Sequence, residues 1–82
     1  MPTLLRFNGL RVVIYPNDHR PAHVHVIGPD SEAVFILNAP DCPVTLRESV
    51  GFRLAEIQRI EKVLNGHLNE LQATWDRIHG DD

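Results

Sequence analysis

Two hydrophobic rhythms divide the chain. From Thr3 to Asn38 apolar and polar residues alternate in short runs, whereas from Leu46 onward apolar residues recur every three or four positions. The first rhythm has the period of a β-strand and the second that of an α-helix. Thr3 to Phe7 and Leu10 to Tyr15 are strand-like runs joined by Asn8-Gly9, a pair that tolerates the positive φ of a type I′ turn, so an antiparallel hairpin is predicted there. Alternation sets Leu10, Val12 and Ile14 on one face and Arg11, Val13 and Tyr15 on the other. After a turn at 16 to 22, His23 to Ile27 is a third run, and Gly28-Pro29-Asp30 turns it into a fourth, Ser31 to Asn38. In the third run Val24 and Val26 share a face and His23 and His25 share the opposite one, about 6–7 Å apart along the backbone.

Ala39-Pro40-Asp41-Cys42-Pro43 is a loop by its prolines. Thr45-Leu46-Arg47-Glu48 has the form of a capping box, which predicts a helix start. Leu46, Val50, Leu54, Ile57, Ile60 and Leu64 then recur at helical spacing, with Gly51 as the weak point, and Asn65-Gly66 reads as a left-handed C-cap. A second helix is predicted from His67 to Ile78 with Leu68, Leu71, Trp75 and Ile78 as its apolar stripe, Trp75 being a core anchor. The plan is α+β, a small antiparallel sheet of three to four strands from N-terminal hairpins, followed by two C-terminal helices packed on one face. Residues 1–82 are expected to form a single domain.

Composition narrows the class without naming a function. An apolar share of 43% and a charged share of 23% suit a globular domain and exclude a disordered or fibrous chain. No apolar run approaches the roughly 20 residues of a membrane span, and the N-terminus does not read as a secretory signal. The one cysteine, Cys42, has no internal partner, reads as an inert loop thiol and suits a reducing cytoplasm. Against a net charge of -3, residues 1 to 28 carry Arg6, Arg11 and Arg20 with only Asp18 opposing them. This one basic third contains the run Tyr15-Pro16-Asn17-Asp18-His19-Arg20-Pro21-Ala22-His23-Val24-His25.

Three of the five histidines fall in that run, and three readings of it stand together. On the first, Pro16-Asn17-Asp18 and Arg20-Pro21 are turn chemistry and the histidines are half-exposed strand residues. On the second, His23 and His25 chelate zinc or another divalent metal, with His19 or Asp18 as a third ligand or Asp18 orienting one from behind. On the third, no metal is involved: Asp18, His19, His23 and His25 are catalytic residues, one imidazole accepting a proton while another donates, and Arg20 and Arg11 bind a phosphate. His67 and His79 lie at predicted helix ends, where His79 meets the negative end of the dipole.

This Asn-Asp-His-x-x-x-His-x-His core, preceded by an Arg-Phe-Asn-Gly hairpin and followed by a helix pair bearing Leu71 and Trp75, resembles the domain of unknown function 4160 family of small prokaryotic proteins. The resemblance implies the toxin half of a toxin–antitoxin pair, cytoplasmic and neutralised by a small antitoxin protein. Asp18, His19, His23 and His25 carry over onto the motif. Ala22 stands where the family has a second proline, and the loop from Asn38 to Pro43 differs from the family's acidic, glycine-containing version. RNA is the target class expected from a histidine-rich site flanked by arginines. The alternatives are a non-enzymatic protein- or nucleic-acid-binding module and a histidine-ligated metallohydrolase.

Overall fold

The computed structural model describes residues 3–38 and 42–79. Five strands run in chain order, β1 (Thr3–Phe7), β2 (Leu10–Val13), β3 (His23–Ile27), β4 (Glu32–Ile36) and β5 (Thr45–Val50), followed by α1 (Leu54–Asn65) and α2 (Leu68–His79). The strands form one antiparallel meander in the order β1-β2-β3-β4-β5. The architecture is the α+β plan read from the sequence, with one strand more than the three to four expected.

The hairpins follow from local chemistry. Asn8 and Gly9 take φ of 50° and 77°, the double positive φ of a type I′ turn, and bring Phe7 opposite Leu10. The β3–β4 hairpin closes with Gly28 N–H donating to Ser31 O at 2.8 Å, which pairs Ile27 with Glu32 and His25 with Val34. Val12, Val24, Val26, Ala33 and Phe35 therefore lie on one sheet face, and they share a core cluster with Ile57, Ile60 and Leu64 of α1 and Leu71 and Trp75 of α2. Trp75 is fully buried, as its place in the stripe predicted. Both helices thus pack on that face, and His25 projects from the opposite one.

Three local expectations fail. Thr45-Leu46-Arg47-Glu48 does not start a helix; it opens β5, whose backbone pairs with β4 through Ile36↔Thr45, Phe35↔Leu46 and Val34↔Glu48. A capping pattern satisfies one or two orphan amides, whereas the ladder to β4 pairs one side of the strand along its length, and the distant partner prevails. The turn that ends β5 is at Gly51, with φ of 85°; a Cβ there would stand 2.6 Å from Asp30 O, so this glycine is a requirement of the turn and not a weak point in a helix. The helix begins three residues later, at Leu54, with the Glu56 carboxylate accepting from the N–H of the N-cap Arg53 at 2.9 Å. Leu46, Val50 and Leu54 are exposed, at 36%, 70% and 73%, so the buried stripe of α1 is only Ile57, Ile60 and Leu64.

Gly66 is also not the left-handed cap expected. Its φ is -76° and its N–H is shared between Lys62 O and Val63 O. Asn65 has a different task, its Oδ1 accepting from Val44 N–H at 2.9 Å and tying the end of α1 to the segment before β5. The predicted loop Ala39 to Pro43 lies partly outside the described residues.

Candidate functional site

The site begins as a turn. Asp18 N–H donates to Tyr15 O at 3.0 Å, and Tyr15 N–H donates back to Asp18 Oδ2 at 3.1 Å, so the carboxylate is fixed by its own backbone and aimed inward. The Arg20–Pro21 peptide is cis, and Ala22, where β3 is entered, is buried with its carbonyl accepting from Leu37 N–H. Period-two alternation then sends His23 and His25 to one face, with ring centroids 5.2 Å apart.

Both imidazoles meet the same oxygen. His25 Nε2 lies 3.2 Å and His23 Nε2 3.5 Å from Asp18 Oδ2. The cluster is mostly shielded, with side-chain exposures of 8% for His23, 15% for His25 and 14% for Asp18. Asp18, His23 and His25 each offer one ligand atom, and these atoms lie within 4.8 Å of one another. His19 was expected to be a site residue too, but its neighbour Asp18 takes the inward position, and His19 is exposed and outside this group. Arg20 is exposed on the same turn.

Each imidazole has an oxygen on its far side as well. His23 Nδ1 is 2.8 Å from Pro21 O, and because a carbonyl only accepts, this nitrogen carries the proton. His25 Nδ1 is 3.5 Å from Glu32 Oε2, a residue that sequence reasoning missed. The signal for it was present in the hairpin: pairing Ile27 with Glu32 and His25 with Val34 puts Glu32 diagonally beside His25 on the same face. Rings surround the pair, Tyr15 meeting His25 at 4.7 Å and Trp75 meeting His23 at 5.3 Å. His79 stacks on Trp75 at 3.8 Å and approaches Trp75 O with Nδ1, so packing joins the helix-end role read for it.

The open face has a charge gradient. Arg11 is opposite Arg6 in register, both are exposed, and both lie on the His25 face one row along the strands. On the other side of His25 a cleft of about 570 Å³ is lined by Asp30, Glu32, Val34, Glu48 and Val50. An anion approaching His25 thus meets arginines from the β1–β2 side and carboxylates from the β4–β5 side.

The family model for the domain of unknown function DUF4160 matches residues 9–76, which span β2 through most of α2 and include every residue of the cluster. The chain belongs to this family. No curated protein and no solved structure matches it. Among the described residues of this DUF4160 domain, no helix is long and apolar enough to cross a membrane.

Proposed function

We propose that this DUF4160 protein is the toxin component of a prokaryotic toxin–antitoxin module, working in the cytoplasm and acting on RNA through Asp18, His23 and His25. The observation that carries the reading is the convergence of two imidazole nitrogens on one carboxylate oxygen at 3.2 and 3.5 Å, in a mostly shielded cluster. A shielded polar cluster of this kind costs desolvation and adds little to a core, which is the pattern of a site kept for chemistry.

The chemistry available is removal of a proton from an attacking oxygen at the cluster. Arg11, with Arg6 beside it, supplies positive charge for a phosphate. His19 and Arg20, exposed on the turn that carries Asp18, are within the same segment to meet a leaving oxygen or a second phosphate. The partner in this reading is a small antitoxin protein. A second reading, a binding module without catalysis, is favoured by one feature, the fully exposed strand β5 at the sheet edge, which ends on the exposed Val50.

Purified protein incubated with end-labelled RNA separates the two. Fragments that accumulate with time, and that disappear in His25→Ala, support catalysis. A mobility shift without fragments supports the binding module.

A further inference from the structure

The four ring nitrogens of the cluster face acceptor oxygens alone. His23 has Pro21 O on Nδ1 and Asp18 Oδ2 on Nε2; His25 has Glu32 Oε2 on Nδ1 and Asp18 Oδ2 on Nε2. All four facing atoms are acceptors. A neutral imidazole carries one N–H, so two neutral rings satisfy only two of the four contacts and leave two lone pairs aimed at oxygen. His25 Nδ1 is indeed buried without a hydrogen-bond partner. Two positive charges placed at the cluster would match these acceptors.

We propose that Asp18 Oδ2, His23 Nε2 and His25 Nε2 bind one divalent transition-metal ion of the zinc class. A single ion completes the count. Both Nε2 lone pairs go to the metal, His23 Nδ1–H donates to Pro21 O, and His25 Nδ1–H donates to Glu32. Asp18 and Glu32 together match its charge. The far-side contacts are those that metal-bound imidazoles make, one to a backbone carbonyl and one to a carboxylate.

The spacing agrees. A tetrahedral ion with bonds of about 2.0–2.1 Å holds its ligand atoms about 3.3–3.4 Å apart. The two nitrogen–oxygen separations are 3.2 and 3.5 Å, on either side of that value. Charge-assisted hydrogen bonds are shorter, about 2.7–2.9 Å. Imidazole and carboxylate donors suit zinc, and three protein ligands leave a position for water, whose proton such an ion makes easy to remove. The ion also offsets the carboxylates of the neighbouring cleft, Glu32 and Glu48, which otherwise repel a phosphate. The proposal supplies the cofactor of the site in the RNA-directed reading, but zinc occupancy is measured without RNA, so failure of one leaves the other to be judged separately.

The test uses tag-free protein, stripped with a chelator, dialysed and titrated with zinc chloride and separately with cobalt chloride. The expected result is one zinc per chain, with binding weakened at least 100-fold in His25→Gln and Asp18→Asn and 10- to 100-fold in Glu32→Gln. His19→Ala and His67→Gln bind as wild type does. Trp75, the single tryptophan, touches His23, so stoichiometric cobalt quenches its emission in wild type and not in His25→Gln. Should His25→Gln fail to fold by circular dichroism, nitrogen NMR of wild-type protein gives the same answer, zinc shifting Nε2 of His23 and His25 and leaving His67 unmoved. Absence of saturable zinc binding by the folded wild-type chain overturns the proposal. Equal binding by folded His25→Gln, or loss of binding in His19→Ala, overturns the ligand assignment.

Discussion

Glu32 Oε2 stands 3.5 Å from His25 Nδ1, while Asp18 Oδ2 stands 3.2 Å from Nε2 of the same ring. One imidazole thus lies between two carboxylates delivered by different parts of the chain, a turn before β3 and the first residue of β4. Asp18 accepts the hydrogen bond, and Glu32 adds negative charge on the far side.

Asp18 serves both the turn and the site, and the two roles separate on substitution. In Asp18→Asn the side-chain oxygen still accepts from Tyr15 N–H, so the thermal midpoint is expected to stay within a few degrees of wild type. The charge facing His23 and His25 is lost, and activity on RNA should fall at least 100-fold. Thermal melts and RNA assays on the same preparation check this. A variant that melts normally and retains full activity contradicts the role given to Asp18.

The two glycines that bracket α1 are expected to respond in opposite directions. Gly51→Ala puts a side chain at a φ of 85° and against Asp30 O, a cost of about 1–3 kcal/mol. Gly66 has φ of -76° and its nearest non-neighbouring atom would lie 3.4 Å from a new Cβ, so Gly66→Ala is neutral or stabilising by up to about 1 kcal/mol. Denaturant midpoints decide. Destabilisation by Gly66→Ala of more than about 1 kcal/mol restores the left-handed cap.

Apolar residues at helical spacing divide equally sharply. Leu54→Ser is expected to change stability by no more than about 0.5 kcal/mol because Leu54 is 73% exposed, whereas Ile60→Ala, at a position 1% exposed, costs about 2–5 kcal/mol. Urea unfolding of the two variants measures the difference. Similar losses in both would return residues 46 to 54 to the core stripe.

What was legible in the chain was what local chemistry decides. Asn8-Gly9 announced its hairpin, alternation put His23 and His25 on one face, and the spacing of Leu71 and Trp75 marked a buried helix. Strand β5 was not legible, because Thr45 to Glu48 satisfies a helix-start pattern and only pairing with β4, nine or more residues earlier, makes it a strand. For the same reason Glu32 was missed: its link to His25 crosses a hairpin and depends on register. Asp18 and His19 were indistinguishable in sequence, since which of two adjacent turn residues faces inward is fixed by the hydrogen bonds between Asp18 and Tyr15.

The central claim is that Asp18, His23 and His25 are the reacting centre of a toxin, and induced expression in a bacterial host reads it most directly. Wild type should arrest growth, while His25→Ala, expressed to the same level and melting within a few degrees of wild type, should leave growth at the uninduced rate. Full growth arrest by folded His25→Ala contradicts the account.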